Sequence, residues 1–339
     1  MTVKDTVSSE YRDSLVSGVS PCKKIFAFAF VFILALVPLL VYVVDGMNYI
    51  LHMLLYTFMY IAMAVSWNLI GGYTGYTSLG HNVFYAVGGY FSAMILLELG
   101  ISPFITAPLA GVVSVGIGIL FGLVSLRTHR GPSFIISTIA LMLLLKISFD
   151  HWDFIGGTGG VSMPFLNVPL LWNKVPFYYA MLVIMIGAIY LSFRVRHSKF
   201  GLGLRAISQD EIKAESAGIP TNQYKILAFA LSGFFVGTAG AIWGYYLTYL
   251  RPSIFLTVLI GAHMVLMSVL GGKGTVTGPI VGAILFIGIN EFVVAQLGSS
   301  ELNIVATGVL LAVTLLFFPA GIVGSLKESG KLPAWLDWD

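Results

Sequence analysis

KFGLGLRAISQDEIKAESAGIP, residues Lys199 to Pro220, is a charged stretch set between apolar runs that are each long enough to cross a bilayer. Within it Ser208 and Glu211 stand in the S-x-x-E spacing of a capping box, and Ile207 and Ile212 are placed to close a hydrophobic staple. Gly218 supplies a left-handed stop, and Pro220 bars continuation. The spacing predicts a short helix from Gln209 to Ala217 that turns Asp210, Glu211, Lys213 and Glu215 outward and leaves Ile212 and Ile219 for an apolar contact. A helix lying on a lipid surface carries a polar face rich in Lys and Arg. This one is mostly acidic, which favours docking on a partner.

The surroundings of that stretch set the class. Of 339 residues 58% are hydrophobic and 10% charged, with a mean hydropathy of +0.92, which excludes a soluble domain of ordinary composition. A crossing helix needs about 20 apolar residues. Runs of that kind cover residues 25–44, 48–70, 82–97, 103–126, 133–149, 177–193, 224–249, 253–270, 278–297 and 301–318. The expected fold is an all-α polytopic membrane protein of about ten transmembrane helices, with Gly-rich breaks and a cytoplasmic coupling helix. Residues 1–24 read as a cytoplasmic N-terminal segment and a retained signal anchor, since no A-x-A-like cleavage site follows. Residues 25–320 form the membrane domain with a cytoplasmic loop over 194–224, and 321–339 a cytoplasmic tail. With the N-terminus inside, Lys4, Arg12, Lys23, Lys24, Arg127, Arg130, Arg194, Arg196, Lys199, Arg205, Lys213, Lys225, Lys273, Lys327 and Lys331 share the cytoplasmic face. Only Lys174 and Arg251 fall outside, with Lys146 near a helix end, as the positive-inside rule requires. The expected location is a prokaryotic inner membrane, with both termini cytoplasmic. Cys22 is the only cysteine, so no disulfide forms within the chain and a Cys-ligated metal is disfavoured.

Of 38 glycines, three groups interrupt the apolar pattern: GGYTGYTSLGH from Gly71 to His81, Gly156 to Gly160, and GGKGTVTG from Gly271 to Gly278. Non-helical backbone at membrane depth is tolerated where it is buried in protein or lines a cavity, so such breaks point toward a translocation path. The plainer alternative is a tight turn. Gly233, Gly237, Gly240 and Gly244, spaced along one helix face, read as close-packing positions. Ionisable groups within spans are expensive and suggest a path or a helix-to-helix tie. On these grounds Gly72, Gly75, Ser78, His81 and Glu291 are the candidate substrate-path residues, with Glu291 equally readable as structural glue.

No fuel site is present. Lys273 in GGKGT lacks the Ser or Thr that must follow a P-loop lysine. There is no H-E-x-x-H, no G-x-S-x-G elbow and no C-x-x-C, and nothing calls for a cofactor or nucleic acid. A pore-like chain with a capped cytoplasmic helix and no ATP site implies a separate motor. An ion-coupled secondary transporter, or an intramembrane enzyme built on His81 or His263 with Glu291, remain alternatives of other classes.

The segments SWNLIGGYTGYTSLGHNVFYAVGGYFSA, RGPSFIISTIAL, GGTGGV, SKFGLGLRAISQDEIKAESAGIPTNQYKILAFALSGFFVGTAGAIWG, VLGGKGTVTGPIVGAIL and LFFPAGIVG follow one another from about residue 60 to residue 324. Together they resemble the LivM-type branched-chain amino-acid permeases of ATP-binding-cassette importers. The resemblance implies two cytosolic ATPase subunits, a LivH-like second permease, an extracytoplasmic substrate-binding protein and a lipid bilayer as partners. It also implies that the A-x-x-x-G-I pattern, matched by Ala214, Gly218 and Ile219, seats on the ATPase, with Arg205, Ser208, Asp210 and Glu211 in the same coupling loop. The family includes relatives for urea and short amides, so the substrate class stays open between these and branched-chain amino acids.

Overall fold

The computed structural model describes residues 21–42, 47–128, 131–169, 172–297 and 320–330, with single positions between 305 and 338. The described chain is almost wholly helical. Its helices are α1 (Pro21–Leu36), α2 (Met47–Gly71), α3 (Asn82–Leu99), α4 (Pro103–Thr128), α5 (Pro132–Asp150), α6 (Val175–Arg196), α7 (Lys199–Gln209), α8 (Glu211–Ser216), α9 (Thr221–Leu247), α10 (Pro252–Phe255), α11 (Val258–Gly271), α12 (Gly278–Leu297) and α13 (Gly321–Glu328). Among the described residues, seven stretches are long and apolar enough to cross a membrane: Asn48–Gly71, Asn82–Leu99, Pro103–Leu126, Pro132–Asp150, Val175–Arg196, Thr221–Leu247 and Pro252–Gly271. Two shorter apolar helices, Phe28–Leu39 and Gly278–Val293, accompany them.

Helix α9 is the central post, packed along its length against α4, α3, α2 and α6. Its glycines explain how. A Cβ at Gly237 would lie 2.1 Å from Ser114 Oγ on α4, and one at Gly240 would lie 2.0 Å from the Tyr85 carbonyl oxygen on α3. On α3, a Cβ at Gly88 would fall 2.0 Å from the Gly237 carbonyl oxygen. Backbones this close require small residues at the crossing, as is usual where lipid provides no hydrophobic drive for helix association.

Two expectations about the spans are amended, and a third falls on residues outside those described. The first run is α-helical only to Leu36 and then tightens into a 3-10 turn, Val37–Tyr42, because Pro38 has no N–H to continue the α ladder. The eighth is broken at Leu256 and Thr257, which separate α10 from α11. The tenth, 301–318, lies largely outside the described residues, as do residues 1–20. On the face where α9 ends, a two-stranded antiparallel ribbon pairs β1 (Val161–Ser162) with β2 (Tyr249–Leu250). Arg251 Nε donates to the Thr158 carbonyl at 3.1 Å and Tyr249 Oη to that of Gly159 at 2.5 Å, so the glycine group 156–160 is a gripped loop on that face.

The decisive stretch folds differently at its start. Ser208 caps nothing: it lies inside α7, a helix begun by Ser198, whose Oγ accepts from Gly201 N at 3.1 Å. Burial of Leu204 and Ile207 carries α7 on through Gln209. The cap of α8 is Asp210, extended at φ −162°, with Oδ1 accepting from Ile212 N (3.0 Å) and Lys213 N (3.1 Å). A carboxylate outcompetes a hydroxyl here because it also answers the positive helix N-terminus. No staple closes, since Ile207 is buried while Ile212 is 65% exposed. Gly218 takes φ +87°, and the Gly218 and Ile219 amides donate back to the carbonyls of Glu215 (2.9 Å) and Ala214 (3.1 Å), ending the helix as the sequence predicts.

Candidate functional site

After α2 the chain does not cross to the other face but turns back on itself. Phe84, in the first turn of α3, lies against Gly233 near the middle of α9, so residues 72–81 return non-helically from the end of α2 to mid-depth. The segment is walled by protein. Trp67 Nε1 donates to the Ser78 carbonyl (2.7 Å), and Leu79 N donates to Thr138 Oγ1 on α5 (3.3 Å). A Cβ at Gly261 on α11 would meet the Leu79 carbonyl oxygen at 1.8 Å. Ser78 and His81 are fully buried. The His81 ring meets Phe84 (4.9 Å) and Phe229 (5.7 Å) edge-on, and the Ser232 backbone faces it without reaching hydrogen-bond geometry. Where α3 begins, Asn82 Nδ2 donates to the carbonyls of Phe255 (3.1 Å) and Thr257 (2.9 Å), the break between α10 and α11. Two interrupted helices thus meet inside the protein.

The other end of the segment meets the second Gly-rich turn, residues 272–277. Asn68 clamps it, with Nδ2 donating to the Thr275 carbonyl and Oδ1 accepting from Gly274 N, both at 2.8 Å. Gly72 leaves no room for a side chain, since a Cβ would sit 1.8 Å from Asn68 Oδ1 and 2.6 Å from Gly274 N. The Arg196 guanidinium, closing α6, donates to the Gly274 carbonyl and lies 5.9 Å from the Tyr73 ring centre, while Tyr73 Oη and Ser192 Oγ are 2.9 Å apart.

On this same face stands a charged cluster that no motif announces. Lys225 Nζ, in the second turn of α9, lies 2.6 Å from Glu211 Oε1 and donates to Tyr76 Oη at 3.3 Å. The Tyr76 hydroxyl donates to Glu211 Oε2. Glu211, expected to point outward, is instead turned in, because only there does it meet the buried ammonium. Ala214 is buried and Ile219 and Arg205 half-buried, while Ile212, Lys213, Glu215 and Gly218 face outward. Lys213 pairs at 3.3 Å with Asp210 across the surface, and its amide and ammonium together hold the Asp210 carboxyl below its usual range.

Glu291 belongs to a different region. Tyr49 Oη donates to it at 3.4 Å, and His52 and Tyr56 follow Tyr49 at helical spacing. These lie in the first turns of α2, about 30 Å along that helix from Gly72 at 1.5 Å per residue. The structure therefore brings Gly72, Gly75, Ser78 and His81 into one segment and leaves Glu291 apart, beside an aromatic wall in which His52 Nδ1 is 2.7 Å from Tyr246 Oη and Tyr56 packs on Trp243 at 5.4 Å. Among the described residues, no group of three or more His, Cys, Asp or Glu is gathered to hold a metal.

A family model described as the branched-chain amino acid transport system / permease component matches residues 49–318. The chain belongs to that family. The permease is 25% identical over 305 residues to the high-affinity branched-chain amino acid transport system permease protein LivM of Salmonella typhimurium, covering 81% of this chain and 70% of the relative. It is 24% identical over 283 residues to LivH of the same organism, covering 78% and 91%. A probable LivH of Methanocaldococcus jannaschii is 26% identical over 259 residues, covering 71% and 81%. No solved structure matches the permease.

Proposed function

We propose that this permease is a translocation subunit of an ATP-driven importer for branched-chain amino acids in a prokaryotic inner membrane, moved by two separate ATPases that dock on α7 and α8. The observation that carries the reading is α8 itself. It is capped by Asp210, stopped by Gly218 and anchored inward through Glu211, yet it holds Ile212 and Lys213 out to solvent. A six-residue helix has no stability of its own, and a rigidly mounted tip with an exposed isoleucine suits a groove on another protein. Ala214, buried, and Ile219, packed on the core, seat that tip against the body of the permease. ATP-driven closure of the motor subunits then tilts the spans that α8 joins. A second, LivH-like permease completes the path, and an extracytoplasmic binding protein delivers substrate to it.

In this reading the segment containing Gly72, Gly75, Ser78 and His81 is the moving wall of the path, closed in the present conformation. Glu291 and the aromatic wall beside it line the opposite mouth, where a carboxylate and ring faces suit a substrate ammonium. The test is co-purification in mild detergent followed by reconstitution with the cognate binding protein. A P-loop ATPase is expected to accompany the tagged permease, and ATP is expected to drive uptake of labelled leucine. Uptake of urea in place of leucine moves the substrate class to amides. Uptake by this chain alone, driven by an ion gradient and indifferent to ATP, overturns the reading.

A further inference from the structure

Lys225 is 1% exposed and stands at the fifth residue of a membrane-crossing helix. Two other segments meet its Nζ: α8 through Glu211, 14 residues away, and residues 72–81 through Tyr76, 149 residues away. The ammonium also sits 4.7 Å from the centre of the Tyr76 ring, within cation–π range. A buried ion pair adds little to stability over an apolar replacement, but separating its members strands an uncompensated charge. Glu211, Tyr76 and Lys225 are therefore bound to travel together. The backbone beside them turns at Gly75, which takes φ +79°.

From Tyr76 a continuous chain of rings leads inward. Tyr76 packs edge-on against Phe134 of α5 (5.7 Å), Phe134 against Phe229 of α9 (5.6 Å), and Phe229 against both His81 (5.7 Å) and Phe84 (5.1 Å). A displacement of α8 thus has a stiff route to the point where α3 begins. Resting on the reading of α8 as the docking element, we propose that Lys225, Glu211 and Tyr76 form a transmission joint that imposes the movement of α8 on the segment Tyr73 to His81. Lys225 is then a positioning residue for transport. A merely structural clamp would make a different prediction, because its loss would lower assembly, ATP hydrolysis and uptake together.

The experiment uses the complete importer in proteoliposomes, comparing leucine uptake with ATP hydrolysis. Lys225→Met and Glu211→Gln are expected to lower uptake roughly tenfold while hydrolysis stays within about twofold, the scale of a typical coupling free energy. Tyr76→Phe keeps the ring and the Lys225–Glu211 pair but removes both hydrogen bonds of the hydroxyl, so it gives a smaller loss of uptake of the same kind. Lys225→Arg keeps the charge and retains most uptake. Exchanging the pair, Glu211→Lys with Lys225→Glu, recovers uptake relative to either reversal alone. Uptake and hydrolysis falling in step, or uptake unchanged in these variants, overturns the joint. Should Lys225→Met fail to assemble, Tyr76→Phe and the exchanged pair decide by the same ratio. A wild-type complex with no ATP-driven uptake would instead sink the proposed function.

Discussion

At the scale of single residues, glycine determines how near the helices approach, and two positions separate that role from mere tolerance. A Cβ at Gly88 would lie 2.0 Å from a carbonyl oxygen of α9, whereas one at Gly116 of α4 meets nothing within 4 Å. Gly88→Ala must therefore push α3 from α9 and is expected to destabilise the permease by about 1–3 kcal/mol, the usual range for overpacking. Gly116→Ala gains helix propensity of at most about 1 kcal/mol and leaves the fold intact. Thermal melting of the purified chain in detergent reads both; equal melting points for the two variants would remove the close-crossing argument. The small-residue stripe Gly233, Gly237, Gly240 and Gly244 was legible in sequence because its spacing alone marks one helix face. The Lys225 cluster was not, because Glu211 is 14 residues away and Tyr76 is 149 away, and no local pattern joins them.

At the scale of elements, α8 depends on its two ends. Gly218 adopts φ +87° with open space around it, so Gly218→Ala meets only the backbone penalty of a left-handed residue, about 1 kcal/mol. That should speed hydrogen exchange at the Gly218 and Ile219 amides, which close the helix, by about fivefold, with little change in global melting. Gly218→Asn, better suited to that conformation, should show a smaller effect. Unchanged exchange in Gly218→Ala would mean that the stop does not hold α8 together. The C-terminal stop was readable because glycine followed by Ile-Pro admits few conformations. The N-terminal end was misread because Ser208 and Asp210 are both residue types that cap helices, and the choice between them rests on Leu204 and Ile207 being buried, a tertiary fact. The break at Leu256 and Thr257 was hidden for a similar reason: its carbonyls are satisfied by Asn82, 173 and 175 residues away.

At the scale of the whole molecule, the ends of the helices fall on two faces of unequal charge. Arg194, Arg196, Lys199, Arg205, Lys213 and Lys225 gather where α6 ends and α9 begins, together with the clamped turn that carries Lys273. The opposite face, where α9 ends on the β-ribbon, has Lys174 and Arg251 among acidic Asp150 and Asp153. Basic residues are retained on the cytoplasmic side during insertion, so the α8 face is expected inside. In a Cys22→Ser background, Ala217→Cys at the exposed end of α8 should react with a membrane-impermeant maleimide only after cells are permeabilised. Thr158→Cys, in the exposed loop held by Arg251, should react in intact cells. The contrast is close to all-or-none because each site is separated from the other by the full thickness of the bilayer. The reverse pattern would place α8 where no cytosolic ATPase can reach it, and the docking role of Ile212 and Lys213 would fall with the transmission joint behind them.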